Sequence, residues 1–139
     1  MVDLATSHPL QCVVVTPERA VLDERADSIV LTVFDGELGV LPGRAAFVGR
    51  LGYGELRLQR GNETLRYYVD GGFGQCRANV VTILTPRAVR AADIDVAAAQ
   101  AVLESAASSP DGQTTRRKEQ ERARAQLRVA GQGTGTAQH

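Results

Sequence analysis

The chain has 139 residues, of which 43% are hydrophobic and 23% charged, and its 16 basic and 16 acidic residues leave a formal net charge of zero. This length favours one domain with an appendage, and a neutral chain lacks the overall field that draws a protein to nucleic acid or to anionic lipid. No run approaches the roughly 18 apolar residues of a membrane helix, which excludes a membrane-spanning segment of that kind.

Three short apolar runs open the chain and predict β-strands over residues 10–16, 20–22 and 28–33. Their β-branched side chains suit a pleated, half-buried surface. Cys12 lies in the first run and Cys76 in a later one. Both are interpreted as buried free thiols, because the sequence has no secretory segment that would favour a disulfide.

Residues 33–51 reverse direction twice. The apolar run stops at Asp35-Gly36, resumes over residues 37–41 and stops again at Pro42-Gly43. Asp-Gly tolerates a positive φ, and proline fixes one φ while glycine frees the next, so both dipeptides predict tight turns. A surface segment of this kind on a β scaffold indicates an interaction edge.

Two strand pairs are predicted to complete the sheet. Residues 55–59 alternate apolar and polar side chains, Gly61-Asn62 predicts a hairpin turn, and residues 64–69 form the returning strand, closed by Asp70-Gly71-Gly72. The last pair is residues 73–76 and 79–84. About eight to ten short strands predict an all-β sandwich or flattened barrel, assigned to residues 1–86. A parallel βαβ architecture is excluded, because its crossovers need a dozen or more residues.

The composition changes to a helical one after Pro86. Residues 87–139 are predicted to form an antiparallel α-helical hairpin with a disordered tail. Its helices cover about residues 94–106 and 114–130, and a break containing Ser, Pro and Gly at residues 108–112 separates them.

Polar residues at the predicted helix starts act as capping signals. Asp93 is expected to cap the first helix, with Asp95 in its positive first turn. Thr114 or Thr115 is expected to cap the second.

The hairpin separates its charges and is rich in alanine. Residues 91–113 contain four acids and no base, whereas residues 114–139 contain six bases and two acids. Alanine buries little surface, and exposed ion pairs contribute about 0–1 kcal/mol each. We therefore expect the hairpin to open far more easily than the sandwich melts, as a movable element.

No group of residues typical of an active site or a metal site is found. The sequence has no Gly-x-Ser-x-Gly, and the glycine-rich residues 70–74 precede a strand rather than a helix, which favours a bulge or turn over a phosphate loop. The soft metal ligands have no metal-site spacing; they are His8, Cys12, Cys76 and His139. We expect no catalytic residue, metal or cofactor, and a subunit of something larger rather than an enzyme.

The arginine-rich second helix leaves several interpretations open. It could lie along a phosphate backbone, which would make the chain a free-standing β-sandwich binding module with a nucleic-acid arm. The alternatives are a solvated face, a complement to the acidic first helix, or a surface for an acidic protein. The zero net charge and the few aromatic residues favour these alternatives.

Several short motifs follow one another along about residues 8–130. They are Val15-Thr16-Pro17-Glu18-Arg19, Asp35-Gly36-Glu37-Leu38-Gly39-Val40-Leu41-Pro42-Gly43, Gly52-x-Gly54-Glu55-Leu56, Tyr68-Val69-Asp70-Gly71-Gly72-Phe73, Asn79-Val80-Val81-Thr82-Ile83-Leu84, Asp93-Ile94-Asp95 and Ala125-Gln126-Leu127-Arg128-Val129. In combination, these motifs resemble the epsilon subunit of F-type ATP synthases, although each is weak alone.

The resemblance implies a non-catalytic rotor subunit of a bacterial F-type proton-translocating ATP synthase, peripheral on the cytoplasmic face of the inner membrane. Its sandwich would pack on the gamma subunit and the c-ring, and its hairpin would inhibit ATP hydrolysis by reaching the alpha and beta subunits. By match, Glu37 would face the c-ring, Arg44 would lie near gamma, and the second helix would meet acidic loops of beta. The partner-contact candidates are Glu37, Val40, Arg44, Arg116, Arg117, Arg122, Arg124 and Arg128.

Two departures from the family pattern stand out. The family usually has His where Arg44 stands, and often Pro where Ala46 stands. Some bacterial members bind ATP through Ile/Leu-Asp-x-x-Arg-Ala at the first helix, but here the frame Ile94-Asp95 is followed by Ala98 in the Arg position. The missing guanidinium predicts that ATP binding by the isolated subunit is absent or weak.

Overall fold

The structure is a computed structural model that describes residues 8–107 and 113–135, with side chains described for residues 8–105 and 117–131. Eight strands precede two helices, which confirms the predicted fold class. The strands are β1 (Leu10–Val15), β2 (Ala20–Ala26), β3 (Ser28–Val33), β4 (Gly36–Val40), β5 (Phe47–Arg60), β6 (Glu63–Arg77), β7 (Val80–Leu84) and β8 (Ala88–Arg90). A 3-10 turn (Ala91–Asp93) leads to α1 (Val96–Ala107) and α2 (Gln113–Gly135).

The strands form one sheet in the order β2-β1-β7-β6-β5-β3-β4, with β8 paired to β6 beside this path. β1 and β7 run parallel, and the other pairs are antiparallel. The parallel pair is connected through intervening strands rather than by a crossover helix. β5 and β6 have 14 and 15 residues, which exceeds the usual strand length and lets both contribute to the two sides of the folded sheet.

Alternate residues of the strands form the core. In β1, Leu10, Cys12 and Val14 are all fully buried. They join one apolar cluster with side chains from β3, β4, β5 and β7, among them Ile29, Leu31, Val40, Leu56, Leu58, Val81 and Ile83. Each such burial of Val, Leu or Ile stabilises the fold by about 1.5–3 kcal/mol. Both cysteines are buried and free, as predicted.

The prediction that Asp70-Gly71-Gly72 closes a strand is wrong, because β6 continues through these residues. Gly71 and Gly72 have φ values of +77° and +104°. The strand changes neighbours there, from β8 at residues 67–69 to β7 at residues 73–77. A Cβ on Gly72 would lie 2.0 Å from the carbonyl oxygen of Leu84, so only glycine fits where the two strands approach.

The helix starts also differ from the prediction. Asp95, not Asp93, caps α1, because the Asp95 Oδ1 accepts the Ala98 N–H at 3.0 Å. α1 begins at Val96, and Asp93 belongs to the preceding 3-10 turn. α2 begins at Gln113, which places Thr114 and Thr115 inside the helix rather than at its cap.

The C-terminal boundaries shift as well. The sheet continues past Pro86 in β8, which ends at Arg90. α2 continues to Gly135, beyond the expected end at Ala130. Residues 108–112 and 136–139, which include the predicted break and the end of the predicted tail, lie outside the described residues. No helix in the described part of the chain is long and apolar enough to cross a membrane.

Candidate partner-binding surfaces

The hairpin packs on the sheet through a small interface made by β5, β6 and α2. We call it the hairpin interface and define it as Tyr53, Tyr68 and Asp70 of the sheet with Arg122, Ala125 and Val129 of α2. Tyr68 is fully buried and packs with Ala125 and Val129, while Tyr53 and Ile94 lie at the edge of the cluster. The alternation of β6 places Tyr68 and Asp70 on the same face, and α2 covers that face.

Polar contacts among Arg122, Asp70 and Tyr68 fix the geometry of the hairpin interface. The Arg122 Nε lies 3.1 Å from Asp70 Oδ1. The Tyr68 hydroxyl donates a hydrogen bond to the same oxygen at 2.7 Å. The Arg122 guanidinium also lies 5.4 Å from the centroid of the Tyr53 ring, within the range of a cation–π contact. One arginine of α2 therefore contacts two residues of the sheet.

The protonation of Tyr68 keeps this arrangement intact. Burial raises the pKa of Tyr68 well above its usual range, and the hydrogen bond to Asp70 raises that pKa further. The phenol therefore remains protonated and keeps donating to Asp70 at any physiological pH.

The apolar content of the hairpin interface is small compared with the sandwich core. On α1 and α2, the buried apolar side chains that the structure describes are Ala99, Ala123, Ala125, Val129 and Ala130. Four of the five are alanines, each of which contributes about one methyl group to burial. The helices are thus held by far less apolar burial than the strands are.

A cationic cleft opens between α2 and the sheet. It has a volume of about 660 Å³, and its lining on the sheet side includes Phe34, Tyr53, Gly71 and Gly72. Its charged lining residues are Arg50, Lys118, Arg122, Arg124 and Arg128, with Asp70 and Glu121 as the acids. Asp70 is occupied by Arg122, so the cleft has an excess of positive charge.

A second surface, on the sheet next to the cationic cleft, exposes large apolar side chains, and Phe34 at its border also lines that cleft. Phe34, Val48, Phe73 and Leu84 are 71%, 74%, 57% and 53% exposed, and we call this set the apolar patch. Phe73 lies opposite Leu84 on β7 and opposite Arg50 on β5, and the Arg50 guanidinium lies 5.9 Å from the Phe34 ring. Val48 is a diagonal neighbour of Phe73, and Phe34 is linked to Phe73 through Arg50, so the four residues lie on one part of the surface.

The segment between β4 and β5 forms an exposed loop, residues 41–46. The Arg44 N–H donates to the Leu41 carbonyl at 3.2 Å, which closes the Pro42-Gly43 turn as predicted. The Arg44 guanidinium lies 5.3 Å from the Phe47 ring centroid. The Asp35-Gly36 turn that precedes it presents Glu37, which is exposed on β4.

The predicted contact residues fall into four groups. Glu37, Arg44, Arg117, Arg124 and Arg128 are exposed, and Arg122 is committed to Asp70. Val40 is fully buried against the core, because it pairs with Ile29 on β3, and so offers no surface to a partner. The side chain of Arg116 lies outside the described residues.

The sequence pattern does not predict the apolar patch. Phe34 adjoins a turn, while Phe73 and Leu84 sit in runs whose neighbours are glycine, cysteine or β-branched residues. Nothing in those runs distinguishes the outward face from the inward one. Phe34 stands beside the predicted Asp35-Gly36 turn, but a single exposed apolar residue is common on folded proteins and does not by itself indicate an interface.

Comparisons with known proteins agree on one family. Residues 9–91 match the family described as ATP synthase, Delta/Epsilon chain, beta-sandwich domain. An ATP synthase epsilon chain from Rhodopirellula baltica is 47% identical over 125 residues, which is 87% of this chain and 98% of the relative. One from Synechococcus sp. is 36% identical over 129 residues, covering 88% and 94%.

Two solved structures resemble the whole fold. A chain in the cryo-EM structure of the Euglena gracilis mitochondrial ATP synthase, OSCP/F1/c-ring in rotational state 1, has a TM-score of 0.68 at 25% identity, covering 94% of this chain and 81% of that one. A chain in the Tetrahymena thermophila mitochondrial ATP synthase central stalk/c-ring structure has a TM-score of 0.62 at 13% identity, covering 87% and 96%. The second likeness concerns the fold alone.

Proposed function

Because this chain belongs to the family of ATP synthase epsilon chains, we propose that it is a non-catalytic central-stalk subunit that joins the gamma subunit to the c-ring and restrains ATP hydrolysis. The observation that carries the proposal is the division of its surface. The hairpin, which is lightly held, covers one part of the sheet, while a neighbouring part exposes the apolar patch. A sandwich that binds the rotor and a separate hairpin that regulates hydrolysis require this division.

The apolar patch is the proposed surface for gamma. Its four large side chains are each more than half exposed, and a contiguous set of this kind marks an interface on a soluble chain. Arg44 lies in the loop that leads into β5, with its guanidinium over Phe47, and is a proposed gamma contact near the start of the strand that carries Val48. Glu37, on the preceding turn, is the proposed contact to the c-ring.

The hairpin is the proposed contact to the catalytic subunits. Arg124 and Arg128 are exposed on α2, and within the described residues neither has an ion pair. These cations suit an acidic protein surface, as expected for the acidic loops of beta. The subunit would then be peripheral on the cytoplasmic face of the membrane, attached through the complex. The nucleic-acid-binding alternative gains no support from the relatives.

The test removes the hairpin without cutting the sheet. A chain ending at Asp93 keeps β8, which a cut at Leu84 would remove together with its hydrogen bonds to β6. Reconstituted with the ATP synthase of the same organism depleted of this subunit, the shortened chain should still bind gamma. ATP hydrolysis by the complex should be faster than with the full chain. Equal hydrolysis rates with the two chains would contradict the regulatory role.

Charge reversal tests the contact to the catalytic subunits. Arg124→Glu combined with Arg128→Glu should relieve inhibition while leaving gamma binding unchanged. The matched control is Arg19→Glu combined with Arg90→Glu, which reverses two exposed cations on the sandwich. If both pairs relieved inhibition equally, the effect would be one of net charge rather than of a contact made by α2.

A further inference from the structure

Asn79 forms the sharp turn between β6 and β7. Ala78 and Asn79 have φ values of +52° and +65°, and the flanking residues Arg77 and Val80 pair directly. A two-residue turn of this type needs positive φ at both central positions, which asparagine tolerates better than most residues. The turn explains the backbone of Asn79, but it makes no use of the side-chain carboxamide.

The carboxamide of Asn79 reaches a different part of the sheet. Its Oδ1 accepts the backbone N–H of Gly43 at 2.8 Å. The backbone carbonyl oxygen of Asn79 accepts the Gln11 N–H at 2.9 Å, which ties the turn to the start of β1. Asn79 therefore connects the β6–β7 turn, β1 and the loop of residues 41–46.

That loop has few other attachments. All six of its residues are exposed, and Gly43 has a φ of +84°. The bond between Arg44 and Leu41 is internal to the loop. In the part of the chain that the structure describes, the bond to Asn79 is the one hydrogen bond that ties the loop to another element.

We infer that Asn79 is a positioning residue for partner binding: its carboxamide fixes the Pro42-Gly43 turn and thereby the direction in which Leu41 and Arg44 meet the gamma subunit. Leu41 is 64% exposed and Arg44 is held over Phe47, so both would contact a partner only in the orientation that the turn sets. The inference rests on the proposed function. It assigns a role to a residue that would not itself be part of the contact.

Three single variants of the full chain separate the carboxamide from the turn. Asn79→Gly keeps the positive φ and removes the hydrogen bond, whereas Asn79→Asp keeps both the φ tolerance and an acceptor oxygen. Ala78→Gly is the matched control, because it puts glycine in the same turn without touching the carboxamide. Two measurements are made on each: hydrogen exchange of the Gly43 amide, and the affinity for the gamma subunit of the same organism.

Asn79→Gly should accelerate Gly43 exchange and weaken gamma binding by about three- to tenfold each, the size expected for one hydrogen bond. The amides of β6 and β7 should exchange as in the native chain. Asn79→Asp and Ala78→Gly should bind like the native chain.

Native affinity in Asn79→Gly, or equal weakening in Asn79→Asp, would overturn the inference. If the native chain did not bind gamma, the proposed function would fail. Gly43 exchange would still show whether the carboxamide orders the loop.

Discussion

Gly54 lies where β5 passes the side chain of Thr32 on β3. The Thr32 hydroxyl donates to the Glu55 carbonyl oxygen and accepts the Glu55 N–H, both at 3.1 Å. The pairing of β3 and β5 slips between Leu31 and Val33, and the threonine hydroxyl satisfies backbone groups that the slip leaves without a ladder partner. A hydroxyl this close to the strand needs a residue without a Cβ beside it.

Gly54→Ala is predicted to destabilise the fold by about 1–3 kcal/mol, the usual cost of overpacking. The new Cβ would lie 2.5 Å from Thr32 Oγ1 and 2.8 Å from Thr32 Cβ. Thr32 cannot turn away without losing its two hydrogen bonds to Glu55. Urea unfolding followed by circular dichroism measures the change.

Gly49→Ala is the control for this prediction. Gly49 lies on the same strand and does not have a positive φ, and a Cβ added there would have no atom within 4 Å. We expect a change within about 0.5 kcal/mol. Equal effects of the two substitutions would show that the loss arises from glycine content in β5 rather than from the Thr32 contact.

The elements were predicted unevenly, for physical reasons. Alternation in β1 and the Gly61 turn appear directly in the residue pattern, because burial has period two and the turn needs positive φ. The course of β6 through Gly71 and Gly72 was not predictable, since two glycines are compatible with a turn or a bend. Whether residues 64–69 and 73–76 form one strand depends on how they pair with neighbouring strands, which the spacing in the sequence does not reveal.

The contacts between elements were the least predictable part of the candidate site. The alanine content predicted a thinly held hairpin. The charge pattern left α2 open as a solvated face, a complement to the first helix, or a surface for an acidic protein or nucleic acid. The structure instead pairs Arg122 with Asp70 on the sheet. A long-range pair of this kind depends on how two finished elements pack. The division into a sandwich and a separately opening hairpin remains our proposal.

Arg122→Gln is predicted to loosen the hairpin. It removes the ion pair with Asp70 and the contact with Tyr53, which together contribute about 1–2 kcal/mol, because Arg122 is 45% exposed and solvent screens the pair. Amide exchange in α2 should accelerate by roughly 5- to 30-fold, as that free energy implies, while the strands exchange as before.

Arg124→Gln is the matched control on the same helix. It removes the same charge from an exposed arginine that has no ion pair within the described residues. We expect little change in exchange. If both variants accelerated exchange equally, Arg122 would not be the residue that holds the hairpin in place. If α2 of the native chain exchanged as slowly as the core strands, the hairpin would not be lightly held.

At the scale of the whole molecule, a bound nucleotide is one candidate for holding the hairpin against the sheet. The place where a nucleotide would join hairpin and sheet is a cavity of about 150 Å³ lined by Tyr68, Arg87, Val89, Ile94, Asp95, Ala98 and Gln126. This volume is below the usual 300–1,000 Å³ of ligand pockets. Asp95 is already committed to capping α1, and the lining contains one cation, Arg87.

We therefore predict that calorimetry of the full chain detects no micromolar binding of ATP. Ala98→Arg, which supplies the missing guanidinium, should raise the affinity by roughly ten- to hundredfold, the contribution of a charge-assisted hydrogen bond. Ala97→Arg adds the same charge at an exposed neighbouring position and should not. Micromolar binding by the native chain would contradict the prediction. Without such binding, we expect the position of the hairpin to depend on its protein partners, because a ligand shifts an equilibrium only by its difference in affinity for the two states.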